Sequence, residues 1–210
     1  MWQLNDPWPG LSWSVVDHDL IAKAGYYFTQ RAYRTVLTSF VRHDDGRLEL
    51  WVTNSGRTAV SLDLRVEVAA FADGRILDER VRVVADPGSS RPVWSAAPET
   101  YEPGPDRFAW VGEASGRTEP NRLFFAALKE LPLQDSRTEL RTGPVEDGSA
   151  ELTLTAHGYA YLARVLAPAP GVTFSRNYLD LRDGESARIT VRGLPDGFDP
   201  AELRHAAYRH

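Results

Sequence analysis

The chain has 210 residues, which exceeds one small domain and suits two units of roughly 100 residues each. With 42% apolar, 10% aromatic and 25% charged residues it can bury real cores and lacks the composition of a disordered chain. The formal net charge of −5 argues against a nucleic-acid partner, and the zero cysteines exclude disulfide scaffolds, thiolate metal sites and cysteine nucleophiles.

The first thirty residues lack the basic-then-apolar layout of a signal peptide. No run nears the ~20 apolar residues that span a bilayer. A soluble protein with no membrane partner is expected, cytoplasmic by default, although a precursor trimmed before this numbering would erase a secretion signal. The stretch from Trp2 to Val36 stands apart, because it carries three of the six tryptophans and then a helix-like segment. Between Lys23 and Arg34, Ala24, Phe28 and Ala32 recur every four residues beside Tyr27, the spacing of one face of a helix. Such a face needs a partner.

Nearly everything afterwards reads as strand. Leu62, Leu64, Val66, Val68 and Ala70 alternate with Asp63, Arg65, Glu67 and Ala69, the period of a strand buried on one side. The alternation recurs in Leu48, Leu50 and Val52, in Val81 and Val83, in Leu152 and Leu154, and in Ile189 and Val191. Turn signals separate them at short intervals: Asp45-Gly46, Ser55-Gly56, Asp73-Gly74, Pro87-Gly88, Asp147-Gly148 and Asp183-Gly184. The stretch Pro98 to Pro105 reads as a loop inside the first sandwich, and Arg122 to Leu128 as an apolar strand. A boundary falls near Leu131-Pro132-Leu133-Gln134, followed by a polar stretch from Asp135 to Arg141 before strands resume. Asp199-Pro200-Ala201-Glu202 reads as a helix start with Asp as cap, and an edge strand through Leu203 to Tyr208 is the alternative. The expected fold class is therefore mainly β, with a lead-in at 1–35, one sandwich at 36–131 and a second at 132–210.

The run Trp2-Gln3-Leu4-Asn5-Asp6-Pro7-Trp8-Pro9-Gly10-Leu11-Ser12-Trp13 interleaves aromatic rings with amide and carboxylate groups, unlike ordinary core. Aromatic faces stack on the C–H surface of a sugar ring, while Asn and Asp oxygens accept hydrogen bonds from its hydroxyls. This run, with Lys23-Ala24-Gly25-Tyr26-Tyr27 after it, resembles the β-mannosidases of glycoside hydrolase family 2. In that family a W-Q-L-N-D-x-W-P segment forms the eighth strand of a catalytic (β/α)8 barrel and its loop, and a K-x-x-Y-Y helix closes the barrel. Leu123 to Leu133 resembles the strand and linker between the family's two C-terminal immunoglobulin-like domains. Phe174-Ser175-Arg176-Asn177-Tyr178-Leu179-Asp180-Leu181, with Gly184-Glu185, is similar to a run in the last of them. Pro7 replaces a frequent cysteine, and Leu179 a usual phenylalanine.

The resemblance implies a remnant of the barrel followed by two immunoglobulin-like β-sandwiches, from an enzyme that removes terminal β-linked mannose with retention. It implies Trp2, Asn5, Asp6 and Trp8 as sugar-subsite residues, with a β-mannoside glycan as the partner they contact. Retaining chemistry needs two carboxyl groups roughly 5 Å apart. In the family these glutamates lie on barrel strands upstream of this segment, so no catalytic residue is expected here and the chain alone is expected to be inactive. A carbohydrate-binding or scaffolding module, and a fragment of an exo-β-glucosaminidase of the same family, are the alternatives.

Other chemistry finds little support. Adjacent residues point apart, so Asp17-His18-Asp19 reads as a solvated turn, with no metal and no cofactor expected. His157 reads as a turn residue, and no G-x-S-x-G or phosphate-binding motif occurs. Asp78, Glu79, Glu49 and Glu67 fall in the polar register of strands and are expected to face solvent. Trp51 shares that register and is expected to meet a neighbouring domain or offer a sugar platform. A barrel strand without neighbours leaves unpaired backbone groups, so the lead-in must lie on the first sandwich, on barrel residues from another polypeptide or on a second copy, with self-association expected.

Overall fold

Period-two alternation, interrupted by glycine turns, yields antiparallel strands that bury one face each. The computed structural model describes residues 2–72, 74–133 and 136–208, and the chain divides into two packing units. One is Arg31–Pro132; the other joins Met1–Gln30 to Leu133–His210. The lead-in thus packs with the last sandwich of its own chain, a cover that the sequence reading did not consider.

The helix, α1 (Ala24–Ala32), is shorter than its spacing predicts and buries a different side. Tyr27 alone is buried, at 2% exposure, whereas Phe28 and Ala32 face solvent. Successive helical residues are rotated by about 100°, so a cover reaching Tyr27 leaves the Ala24–Phe28–Ala32 stripe to one side.

In the Arg31–Pro132 unit the strands are β1 (Val36–Arg42), β2 (Leu48–Asn54), β3 (Val60–Ala70), β4 (Arg75–Ala85), β5 (Ser89–Ala96), β6 (Arg107–Glu113) and β7 (Asn121–Phe124). They form two antiparallel sheets, ordered β1-β2-β5 and β4-β3-β6-β7. Leu48, Leu50 and Val52 of β2 meet Leu62, Leu64, Val66 and Val68 of β3 in one core, as facing sheets of a sandwich do. The Pro-rich stretch starts with one helical turn, α2 (Pro98–Tyr101), which drops Tyr101 into that core. The Tyr101 hydroxyl donates to the carbonyl of Gly46, and its ring stacks on Phe125 with centroids 5.3 Å apart. Strand β7 stops at Phe124 rather than reaching Leu128. There Glu130 Oε2 accepts from the Ala127 N–H at 3.3 Å and turns Leu128–Glu130 into a 3-10 helix.

Two carboxylates expected in solvent are buried instead. Glu67 is 1% exposed, lying 2.9 Å from Arg65 Nη2 and 3.1 Å from Arg75 Nε. Glu49 is buried as well, against His43, Arg47 and Trp51. Strand register decides which way a side chain leaves the sheet, but long arginine stems folded over that face remove a short carboxylate from water. Asp78 and Glu79 do face solvent, Asp78 bridged to Arg65 at 2.7 Å and Glu79 accepting the Trp94 indole N–H at 2.6 Å.

The other unit contains β8 (Arg137–Thr142), β9 (Ser149–His157), β10 (Ala160–Leu166), β11 (Thr173–Phe174), β12 (Leu179–Leu181), β13 (Ser186–Arg192) and β14 (Arg204–Ala206). Its antiparallel sheets run β11-β13-β9-β8 and β12-β10-β14 around Leu152, Leu154, Ala163, Val165, Ile189 and Val191. Much of the polar stretch after the linker is strand β8. Asp147-Gly148 takes left-handed values at both residues, φ 48° and 68°, between Glu146 and Ser149, which exchange two backbone bonds of 2.9 Å. That is the mirror-image turn which fits the twist of a two-residue hairpin. Asp73 of another expected turn lies outside the described residues, and Gly74 beside it has φ 102°. Both readings of the closing segment occur together: Asp199 Oδ1 accepts from Ala201 N at 2.9 Å to cap a 3-10 turn, and β14 follows. Among the described residues no helix is long and apolar enough to cross a membrane.

Candidate functional site

Residues 2–23 contain no regular strand. A strand needs a ladder, and this segment finds only isolated bridges, Asn5 to Val16 and Val16 to Ala22. Three short backbone bonds hold the first bridge: Asp6 N to Val16 O at 3.1 Å, and Val15 N and Val16 N to Leu4 O at 3.2 and 3.0 Å. Asp17 Oδ1 accepts from Asp19 N at 3.0 Å and Ile21 N at 2.8 Å, so Asp17-His18-Asp19 is a turn. Among the described residues no group of three His, Asp or Glu side chains is placed to hold a metal ion.

The bridge turns Asp6 inward and the tryptophans outward. Asp6 is 4% exposed; Lys23 Nζ donates to its Oδ2 at 2.7 Å and the Ser12 hydroxyl to its Oδ1. Lys23 Nζ also donates to Ser14 Oγ at 2.8 Å, and that hydroxyl donates to Val16 O at 2.8 Å. The Lys23 hydrogen bond, then that from Ser12, holds the Asp6 carboxyl at about 2. A carboxylate whose folded value is depressed stabilises the fold above its unfolded value, near 4, and loses that contribution as pH falls through about 2. The lead-in should therefore loosen between about pH 4 and pH 2. Asp6→Asn is expected to loosen it already at neutral pH and to flatten that acid transition. Amide exchange of residues 2–23 followed by mass spectrometry, corrected for the intrinsic rate at each pH, checks this; a transition unchanged in the variant would refute it.

Of the four residues singled out from the sequence, three lie on the surface. Trp2 is 78% and Trp8 69% exposed, Asn5 is exposed between them along the chain, and Trp13, Leu4 and Leu11 are exposed too, which makes this segment an apolar strip of sequence open to solvent. Asp6 is not available beside them, because both its oxygens are engaged within the protein. The strip can offer ring faces and an amide to a ligand, but no charged group of its own.

A second cluster fixes the lead-in to the last sandwich. Tyr27 of α1 packs at 5.7 Å against Tyr178, the rings tilted by 37°, and its hydroxyl is hydrogen-bonded with Asn177 and with the backbone of Phe174. Burial pushes the Tyr27 phenol up to about 12. Sequence reasoning passed over Ser12, Ser14, Asn177 and Tyr178 as working residues. One signal was available for Lys23, since it is one of only two lysines among 24 basic residues.

The remaining candidates have ordinary roles. Trp51 is half-buried and donates its indole N–H to Glu49 Oε2 at 2.9 Å. His43 Nε2 lies 2.9 Å from the same oxygen, and this bond, ahead of that from Trp51, holds Glu49 below the usual carboxylate range. His157 ends β9, exposed and 3.5 Å from Glu139.

Residues 46–130 match the family model of the Mannosidase Ig/CBM-like domain. Beta-mannosidase B of Aspergillus oryzae is 27% identical across 98% of this chain, and that of Aspergillus fumigatus 26% across 97%. The chain spans about a quarter, 26%, of the length of these relatives. Among solved structures, the beta-D-mannosidase of Dictyoglomus thermophilum superposes with a TM-score of 0.83 at 19% identity, over 99% of this chain and 26% of that one. The exo-chitosanase of Amycolatopsis orientalis superposes with a TM-score of 0.65 at 16% identity, over 98% of this chain and 29% of that one. Residues 46–130 thus form a Mannosidase Ig/CBM-like domain, and along nearly all of its length the chain is similar to a sandwich-bearing quarter of beta-mannosidases.

Proposed function

We propose that this region serves an enzyme that hydrolyses terminal β-D-mannosides with retention, and that its lead-in lines the sugar subsite. The observation that carries the reading is the strip itself. Trp2 and Trp8 hold their rings in solvent with Asn5 between them, on a loop stiffened from beneath by Asp6, Ser14 and Lys23. Exposed tryptophans on a fixed backbone suit stacking against pyranose C–H faces, and the amide suits a hydroxyl. Trp2, Asn5 and Trp8 are the residues proposed to meet the sugar, while Asp6 holds them in place. The acid/base and the nucleophile come from carboxylates elsewhere in the enzyme, which leaves this chain alone without turnover.

The mannoside is preferred over a glucosaminide because the curated relatives are beta-mannosidases along nearly all of this chain. Aryl β-mannoside incubated with the purified chain should release no phenol above buffer. A rate that survives purification and vanishes on mutating one of the chain's own carboxylates would refute the assignment. Titration with mannobiose reads the strip itself: weak saturable binding, lost in Trp2→Ala or Trp8→Ala, is expected of a subsite wall, no binding would refute the strip as a sugar site, and affinity as tight as that of a whole enzyme would make the chain a binding module in its own right.

A further inference from the structure

The last sandwich does more for the lead-in than cover its helix. Asn177 is buried in the segment between β11 and β12, where β10 has no regular strand neighbour at Val165 on that side. Its Nδ2 donates to Val165 O at 2.7 Å, and its Oδ1 accepts from Val165 N at 2.9 Å and from Tyr178 N at 3.0 Å. The side-chain amide thereby pairs with Val165 as a peptide group on a neighbouring strand would. Tyr178 follows with φ 52°, a left-handed value that is unfavourable for a bulky residue and persists only where the surroundings hold it. That backbone places the Tyr178 ring against Tyr27. One helical turn earlier, Lys23 grips Asp6 and Ser14 beneath the tryptophan strip.

We propose that Tyr178 and Tyr27 are positioning residues for the sugar subsite: the last sandwich sets the orientation in which Trp2, Asn5 and Trp8 are presented. The proposal rests on the reading of that strip as a subsite wall and names what aims it. A purely structural role would make Tyr178 a contributor to sandwich stability. Instead its backbone is strained, its ring packs on the helix and it stands outside the apolar core of the sandwich, so the lead-in should lose more than that core without it.

Tyr178→Gly separates the two roles, because glycine takes φ 52° without strain while the ring is removed. Tyr27→Ala is a second variant that lies outside the sandwich. Amide exchange followed by mass spectrometry should show at least tenfold faster exchange in peptides covering 2–23, while peptides from β9 and β13 stay as protected as in the parent. Mannobiose affinity should fall at least tenfold in both variants. Unchanged exchange in 2–23, or an equal loss across β9 and β13, would overturn the proposal. Faster exchange confined to 2–23 in a protein whose parent shows no mannobiose binding would support the positioning and sink the subsite reading instead.

Discussion

Asn54→Asp should destabilise the first sandwich by about 3–5 kcal/mol at pH 8, as two buried carbonyls lose their donor and a carboxylate takes its place. Asn54 is fully buried at the end of β2. Its Nδ2 donates to Thr58 O at 2.9 Å and to Ala85 O at 3.0 Å, while its Oδ1 accepts from Gly56 N at 2.9 Å. One amide thus ties β2 of one sheet to the end of β4 in the other. A carboxylate retains the Gly56 contact but turns lone pairs, and at pH 8 a charge, toward two carbonyl oxygens. Its folded value would be raised above the unfolded one, so the charge part of the penalty is absent at low pH, grows as pH rises through both values and is complete above them, while at least one lost donor costs stability at every pH. Urea denaturation of variant and parent at pH 8 and pH 5 measures it. Equal stability at pH 8, or a penalty that grows toward pH 5, would show that the amide does not bridge the sheets as described.

The second large effect concerns Glu67. Replacing Arg65 and Arg75 together by alanine is expected to cost about 3 kcal/mol, because Glu67, at 1% exposure, then loses two guanidinium partners, and trimming the stems that cover it lets in only part of the water a free carboxylate would have. The value sits at the low end for a buried pair, since both arginines are about half exposed and partly screened. Adding Glu67→Leu to the double variant should restore most of the loss, as an apolar residue of similar size needs no partner there. Thermal denaturation of the parent, the double and the triple variants decides it; a triple variant no better than the double would place the cost in the arginines rather than in the stranded charge.

Both effects arise where alternation along the chain is a poor guide. For Leu62, Leu64, Val66 and Val68 the pattern suffices, since apolar atoms need only a side of the sheet to face and every strand offers one. Glycine turns are equally legible, because left-handed backbone at Asp147-Gly148 is a local requirement that the two residues meet themselves. Glu49 and Glu67 are different: their burial depends on arginine, histidine and tryptophan side chains laid across the sheet by neighbouring strands and turns. Asn54 and Asn177 look like turn residues in sequence, and only backbone groups dozens of positions away, or twelve in the case of Val165, show them as cross-links. The candidate site divides in the same way. Exposure of Trp2 and Trp8 follows from a run too polar and aromatic for core, whereas the inward turn of Asp6 follows from Lys23, seventeen residues on. Ala24, Phe28 and Ala32 formed the better helical stripe, yet Tyr27 took the buried place because its partner supplied both a ring and hydrogen-bond groups for the phenol.

Tyr27 and Tyr178 stand 151 positions apart, with the entire Arg31–Pro132 unit between them. At ribosomal speeds of roughly 5–20 residues per second, the newly made tryptophan loop would wait roughly 8–30 seconds before its docking surface emerges. During that interval its helix lacks the Tyr178 ring on the nascent polypeptide, while the intervening sandwich can already close by itself. A chaperone that captures ribosome-bound intermediates should therefore dwell on residues 2–27, and release them only when the segment carrying Tyr178 has been translated.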